Sequence, residues 1–352
     1  MGTLTAIKLP ADIGLPVKNE LNFPESATLL VAEGKDKSVG RKAMKKILVA
    51  IDNSSYAVNV LNFLSSVAAN ATVKPEITLF TVIEPSLPTE VLSRLGMAGT
   101  EQFKTFALSI LEPARDTLKK AGIPATIDWA VGKPSEKIAE KAESINPTYL
   151  LMGSRGLTSL ESLFFGSVTV GVLSRTKTPV LIIRAPHNSS RPIQKIGIAV
   201  DESERSDLLL KYLIANRALF PKTCEFRAIY VSKSADDFMF GALGAASLAA
   251  SGRTAGLAQA ALLSEASGKE LEEQAYENVM SPLRDDFNAL GNVSEVMLHG
   301  NAGDEIARYA EKEKLDMLVM GSHGRSNVES AFAGSVVMRV AAQGTVPLFI
   351  IR

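Results

Sequence analysis

Short apolar runs alternate with amphipathic stretches along most of the chain. KILVAI (46–51) is apolar after its first residue, as expected for a strand covered on both faces, and the following YAVNVLNFLSSVAA repeats apolar residues at helical spacing. Four more apolar runs, ITLFTVI, TIDWAV, YLLMG and PVLIIR, alternate with helical stretches before residue 185. This alternation predicts an α/β fold with a parallel, doubly wound sheet.

The same order of segments occurs twice. KKILVAIDNSSYA corresponds to QKIGIAVDESERS, YLLMGSRG to MLVMGSHG, and KTPVLIIR to TVPLFIIR. We therefore expect two tandem domains, 45–184 and 194–352, each with a five-stranded parallel sheet. A repeat of this length indicates duplication of a whole domain.

Three segments lie outside the repeat. Residues 1–44 match neither copy and are interpreted as an extension, while 185–193 are a polar linker with two prolines. The first-strand Asp and the later glycine are 101 residues apart in the first copy and 120 in the second, which places 19 extra residues within about 240–268. This insertion is either a flexible surface segment or a lid or partner surface.

Composition narrows the class of protein. Positive and negative residues both number 38 and aromatic residues make up 6%, which argues against a nucleic-acid partner. The chain has no apolar stretch of 18 residues and no signal-peptide pattern, so we expect no membrane span and a cytoplasmic location. The single cysteine, Cys224, lies in an apolar run and is predicted to be buried.

In a doubly wound sheet, ligands bind at the carboxyl ends of the strands where the strand order reverses. Asp52 and Asp201 follow the first strands, and Gly153 and Gly321 end the fourth strands. If the first and fourth strands are neighbours, these residues face one crevice in each copy. The aspartate then either accepts hydrogen bonds from a ligand or caps the next helix.

A glycine pattern, G-x2-G-x9-G-S, occupies 153–167 and recurs at 321–335. Backbone amides of the first glycine pair and of the Gly-Ser helix start could hold a polyphosphate. An ordinary strand turn followed by a serine-capped helix is the alternative. The repetition of the pattern favours the phosphate site, although neither a Walker loop nor a G-x-G-x-x-G fingerprint is present.

Together these features resemble the universal stress protein family, in its ATP-binding branch. The resemblance covers nearly all of 45–352 and implies Rossmann-like (adenine nucleotide alpha hydrolase-like) domains that bind ATP, with Mg²⁺ held largely through the phosphates. The site residues that it implies in the first copy are Asp52, Val82, Gly132, Gly153, Arg155, Gly156, Gly166 and Ser167. In the second copy they are Asp201, Val231, Gly300, Gly321, His323, Gly324, Gly334 and Ser335.

The two copies differ inside the glycine pattern. Arg155 stands where the second copy has His323, and an arginine suits phosphate better than a mostly neutral histidine. We therefore expect the first site to bind more tightly. His187 and His299 are interpreted as structural or surface residues.

The predicted function is an ATP-binding module of stress adaptation that acts through nucleotide-dependent conformation or partner binding. A slow ATPase or autophosphorylating protein, with Ser167 and Ser335 as acceptors, and a nucleotide-free interaction scaffold are the alternatives. Single-domain relatives pair through their last strands, so the resemblance implies that PVLIIR and PLFIIR pair within this chain as a pseudo-dimer with approximate two-fold symmetry. A further homodimer is compatible with this arrangement, and no protein partner is identified.

Overall fold

The computed structural model of the chain describes residues 45–85, 100–154, 165–186, 192–232, 270, 272–322 and 333–352. The extension 1–44 and the insertion predicted within 240–268 lie outside the described residues. Within the described ranges, no helix is both long enough and apolar enough to cross a membrane.

The first half contains five strands and four helices in its described part. They are β1 (Lys46–Ala50), α1 (Tyr56–Asn70), β2 (Glu76–Ile83), α2 (Thr100–Lys120), β3 (Ala125–Val131), α3 (Pro134–Ile145), β4 (Tyr149–Gly153), α4 (Ser167–Leu173) and β5 (Val180–Ile183). The local signals fit these bounds: Gly122, just after α2, has a φ of 74°, and α3 begins at a proline, whose missing N–H costs nothing at a first helical position.

The second half repeats this order. Its elements are β6 (Lys195–Ala199), α5 (Glu204–Ala215), β7 (Glu225–Ser232), helical residues 272–280, α6 (Arg284–Leu290), β8 (Val293–His299), α7 (Ala302–Lys312), β9 (Met317–Gly321), α8 (Ser335–Gln343) and β10 (Leu348–Ile351). A 3₁₀ turn over Ser281–Leu283, which contains a proline, separates the helical residues 272–280 from α6.

The ten strands form one sheet in the order β3-β2-β1-β4-β5-β10-β9-β6-β7-β8. Neighbouring strands are parallel within each half, and β5 and β10 pair antiparallel at the centre. The predicted pairing of the two last strands is therefore confirmed. Leu181 lies opposite Phe349, and because these residues correspond in the repeat, the pseudo-two-fold axis passes between them.

Both faces of the sheet are covered, as the continuous apolar runs predicted. Ile47 and Val49 belong to one buried cluster, which spans both halves, whereas Leu48 and Ala50 belong to the cluster on the other face. Alternate side chains of a strand point to opposite faces, so a strand between two layers of helices needs apolar residues at every position. These two layers fix the strand ends from which the candidate sites are built.

Candidate functional site

The strand order reverses between β1 and β4 in the first half and between β6 and β9 in the second. β1 pairs with both β2 and β4, and β6 pairs with both β7 and β9. The condition set by the sequence, that the first and fourth strands are neighbours, is therefore met in both halves. Each reversal opens a crevice at the carboxyl ends of the strands, where doubly wound sheets bind ligands.

A cavity of about 510 Å³ occupies the crevice of the first half. Its size is in the range of small-molecule sites. Asp52, Val82, Gly153, Gly166 and Ser167, all predicted site residues, line this cavity. The structure therefore brings together residues from three strand ends and one helix start that are up to 115 positions apart in the sequence.

Asp52 lies two residues beyond β1 and folds back on its own turn. Its Oδ1 accepts hydrogen bonds from the backbone N–H of Ser54, at 3.1 Å, and from the hydroxyl of the same serine. The N-cap of α1 is Ser55, which makes no side-chain cap bond, so Asp52 is not the helix cap that the sequence left as an alternative. No described residue donates to Oδ2, which leaves this oxygen available to a ligand.

The glycine end of the cavity is held by short backbone links. The N–H of Gly166 donates to the carbonyl of Ser154 at 2.8 Å, and the N–H of Ser154 donates to the carbonyl of Ile183 at 2.8 Å. The Thr169 hydroxyl lies 3.2 Å from the carbonyl oxygen of Gly153, to which it donates. These bonds fix the end of β4 against the start of α4.

Gly166, rather than a serine, is the N-cap of α4. Its φ of −67° and ψ of 159° are open to any residue, so positive φ is not the reason for glycine there. Ser167 is the first helical residue; it is exposed and takes no part in a cap hydrogen bond. Gly166 lines the cavity and has no side chain to extend into it.

Gly132 and Gly300 occupy the turns after the two edge strands. They have φ values of 137° and 125°, and their N–H groups donate to the carbonyls of Ile83 and Ser232 at 3.0 Å. Gly132 is not among the lining residues of the cavity, although Pro134, two positions later, is. The described geometry thus gives both glycines a turn-forming role beside the crevices.

The outer wall of the cavity includes two residues that sequence reasoning missed. Phe106 and Ile110 project from α2 and line the cavity together with Val82, and Phe106 is 49% exposed. Their spacing of four places them on one face of α2, which is the signal that could have identified them. An exposed aromatic side chain at the mouth of a cavity offers a surface on which a planar base can stack.

The second half places Asp201, Val231, Gly321, Gly334 and Ser335 at corresponding positions. The Asp201 Oδ1 accepts hydrogen bonds from the N–H and hydroxyl of Ser203 and, at 3.2 Å, from the Ser206 hydroxyl. The N–H of Gly334 donates to the carbonyl of Ser322 at 2.6 Å, as Gly166 does to Ser154. The backbone arrangement of the crevice is therefore duplicated.

Four predicted site residues lie outside the described residues: Arg155, Gly156, His323 and Gly324. The comparison of Arg155 with His323 therefore remains a prediction.

Of the two other histidines, His187 also lies outside the described residues. His299 is half-exposed at the end of β8, where its Nδ1 lies 2.7 Å from Oε1 of the buried Glu272.

A third residue that sequence reasoning missed is Arg205, at the start of α5. The segments DNSSYA and DESERS, aligned above, place Arg205 at the position of Tyr56, which lines the first cavity. The Nη1 of Arg205 lies 3.5 Å from the hydroxyl oxygen of Ser322. The substitution of an arginine for a tyrosine was visible in the repeat, but the direction in which the side chain points was not.

The described residues contain no group of three or more histidine, cysteine, aspartate or glutamate side chains placed to hold a metal ion.

Two doubly wound halves, joined through their last strands and each with a crevice at its switch point, define a tandem α/β protein of the Rossmann-like class. A model of the universal stress protein family matches residues 44–184 and 192–352. Because these matches cover most of the sequence, the chain belongs to the universal stress protein family.

Individual relatives match one half or the fold as a whole. Universal stress protein YxiE of Bacillus subtilis is 28% identical over an alignment of 148 residues that covers 40% of this chain and 98% of YxiE. A solved universal stress protein from Archaeoglobus fulgidus aligns with 87% of this chain and 96% of its own, with a TM-score of 0.55 and 22% identity, and so shares its fold. Another from Archaeoglobus fulgidus, solved in complex with dAMP, is 23% identical and covers 39% of this chain and 96% of its own, with a TM-score of 0.30.

Proposed function

We propose that the chain binds ATP in its switch-point crevices and works as a regulatory, stress-adaptation protein whose conformation or partner binding depends on the bound nucleotide. The observation that carries the proposal is the cavity of about 510 Å³ that joins Asp52 to Gly166 and Ser167. A carboxylate at one end and a side-chain-free helix start at the other suit a ligand with hydroxyls at one end and phosphates at the other.

Each part of the cavity matches one part of the nucleotide. Val82, Phe106 and Ile110 provide an apolar wall for adenine, and the Oδ2 of Asp52 can accept hydrogen bonds from ribose hydroxyls. The first turn of α4, which begins at Ser167, presents backbone N–H groups to the phosphates, and Gly166 places no side chain in the way. A Mg²⁺ ion bound to the phosphates would neutralise part of their charge.

The proposal is tested by what the purified chain carries and binds. We expect mass spectrometry of the denatured protein to detect released ATP, and added ATP to raise the melting temperature of nucleotide-free protein. AMP and cyclic AMP are measured in parallel, because preferential binding of either would replace ATP in the proposal. Protein that is purified empty and is stabilised by none of the three would refute nucleotide binding and favour the scaffold.

Asp52→Asn tests the role of the carboxylate in the first site. Loss of a charged acceptor is expected to weaken ATP binding at this site by about tenfold to a hundredfold. Asp128→Asn is the matched control, because Asp128 lies on β3 outside the cavity and pairs with Lys141 at 2.7 Å. Equal effects of the two substitutions would contradict a ligand role for Asp52.

The enzyme alternative is tested in the same preparations. Ser167 lines the cavity and is exposed, so it could accept a phosphoryl group. Phosphate release, or a phosphorylated Ser167 detected by mass spectrometry, that is abolished by Gly166→Val would favour this function over simple binding.

A further inference from the structure

Besides the pair Arg155 and His323, the two copies differ at the start of the helix that follows the first strand. Tyr56 begins α1 and lines the first cavity, whereas Arg205 lies in the first turn of α5 at the same place in the repeat. The first site therefore has an aromatic, neutral side chain where the second has a permanent positive charge.

Arg205 points across the second crevice to its glycine end. Its Nη1 is 3.5 Å from the Ser322 hydroxyl oxygen, and Ser322 directly follows Gly321 at the end of β9. A contact of this length is weak, and Ser322 is the hydrogen-bond partner of Arg205 among the described residues. A guanidinium has five N–H donors, so most of those of Arg205 remain available to a ligand.

A second arginine, Arg352, follows β10 next to the same glycine end. The pKa of Arg352, at the end of β10, is lowered, first by burial and second by the positive charge of Arg205. The N–H of Ser322 donates to the carbonyl of Ile351 at 2.8 Å, which ties the end of β10 to the same glycine end. Arg352 therefore follows directly after the strand end that is tied to the glycine end, and its charge interacts with that of Arg205.

We propose that Arg205 makes the crevice of the second half selective for the phosphates of a nucleotide. The affinity of this crevice then depends on the phosphate charge more strongly than the affinity of the crevice in the first half. The guanidinium would bind a phosphate through paired, charge-assisted hydrogen bonds beside Ser322. The inference rests on the proposed function and deepens it, because it assigns the two crevices different ligand preferences.

The test exchanges Tyr56 and Arg205 in variants of the full-length chain in which one of the two sites is blocked. Gly166→Val blocks the first site and Gly334→Val the second, and both glycines have a backbone that valine can adopt. Titration calorimetry then measures ATP, AMP and adenosine at low and high salt. In the chain with the first site blocked, Arg205→Tyr is expected to weaken ATP binding at least about tenfold and leave adenosine unchanged.

The reciprocal variant provides the matched control. In the chain with the second site blocked, Tyr56→Arg is expected to increase the preference for ATP over adenosine and to make ATP binding more dependent on salt. Arg205→Lys keeps the charge but loses the planar fork, so it is expected to give an intermediate loss. Melting curves of each variant show whether the fold is retained.

The inference is overturned if Arg205→Tyr binds ATP as tightly as the parent or more tightly, since the guanidinium would then contribute nothing to ATP binding or would hinder it. It is also overturned if the second site binds no ATP while the first does, a result that leaves the proposed function standing. If neither site binds any of the three ligands in the otherwise unaltered chain, both the inference and the proposed function fail.

Discussion

Cys224 lies just before β7 with its side chain fully buried, at 0% exposure. Burial is the largest cause that raises the pKa of its thiol to about 12, and the nearby Arg217 opposes this only in part. A thiol in this state is protonated at neutral pH and shielded from reagents. Its position explains why a lone cysteine in this chain behaves as a small apolar residue.

We expect Cys224 to be unreactive towards a thiol reagent at pH 8 in the folded protein. In guanidinium chloride the same measurement should give one thiol for each chain, because the sequence contains one cysteine. Rapid stoichiometric labelling of the native protein would contradict the buried position.

For Asp52 and for the segment around Gly166, the sequence allowed either a ligand-binding role or an ordinary helix-capping role. The local geometry shows which residues cap the helices. The aspartate bonds its own turn instead of capping α1, and the glycine replaces serine as the N-cap of α4. Residue type and spacing were enough to select these positions. The hydrogen bonds, which depend on where each chain turn folds back, were not predictable from residue type.

At the scale of elements, the helix pairs α3/α4 and α7/α8, on one face of the sheet, each pack closely at a glycine. The glycine lies on the second helix of the first pair and on the first helix of the second pair. A Cβ added at Gly171 of α4 would lie 2.6 Å from the Cβ of Ser135 in α3. In the second half the glycine is on the other helix: a Cβ at Gly303 of α7 would lie 2.6 Å from the Cβ of Arg339 in α8. Close helix packing was thus kept while the position of the glycine changed.

Gly171→Ala is expected to destabilise the protein by up to about 2 kcal/mol. Overpacking costs about 1–3 kcal/mol, and the better helix propensity of alanine offsets about 1 kcal/mol of this. Urea unfolding measures the change. Gly344→Ala is the control, because a Cβ there would lie 3.7 Å from the carbonyl oxygen of Val340, an ordinary van der Waals distance. We expect it to change the free energy of unfolding by no more than about 0.5 kcal/mol.

An ion pair also joins α7 to α8. The Nε and Nη2 of Arg339 lie 2.6 and 2.7 Å from the two carboxylate oxygens of Asp304, and this bonding is the largest cause that lowers the pKa of Asp304. Gln343 also donates to this carboxylate, and the charge of Arg308 lowers the pKa further. A lowered pKa adds stability above the unfolded value of about 4, which is lost as the pH falls through the folded pKa.

Arg339→Met should therefore destabilise the protein at pH 7, and the difference from the parent should shrink as the pH falls below about 4. Methionine retains much of the aliphatic packing on Gly303. Urea midpoints at several pH values provide the measurement, with Lys104→Met, which removes an exposed pair at 3.7 Å with Glu101, as the control. A difference that stays constant down to pH 3 would show that packing, and not the charge pair, is responsible.

At the scale of the whole molecule, the halves meet along β5 and β10 and in a cluster of aromatic rings. Phe349, which is buried, makes edge-on contacts with Tyr149 of the first half and Tyr212 of the second, at centroid distances of 5.4 and 5.8 Å. The Tyr212 hydroxyl also donates to the carbonyl of Thr148 at 2.7 Å. One buried cluster runs across this junction, so the halves are expected to unfold together.

Phe349→Ala tests this coupling, because the single tryptophan, Trp129, reports from β3 at the far edge of the first half. The substitution is expected to cost about 3–5 kcal/mol and to shift the unfolding transition seen by Trp129 fluorescence. Phe106→Ala, at the exposed mouth of the cavity, is the control and should shift it little. An unchanged tryptophan transition in Phe349→Ala would mean that the first half unfolds independently.

The sequence by itself determined the duplication, the strand and helix order and the parallel sheet of each half. These follow from periodicity and repetition, which are local properties of the chain. It also selected the residues at the strand ends, such as Asp52 and Gly153, because the topology of a doubly wound sheet brings those ends together.

Only the tertiary structure decided what surrounds those residues. Phe106 lines the first cavity although its position in the sequence is about fifty residues from Asp52, and the Nη1 of Arg205 lies 3.5 Å from the Ser322 hydroxyl oxygen. The position of the two-fold axis between Leu181 and Phe349 depends on strand register. Such contacts are set by the packing of distant segments against one another. A local pattern, such as the spacing of Phe106 and Ile110, can mark one face of a helix but not the cavity which that face lines.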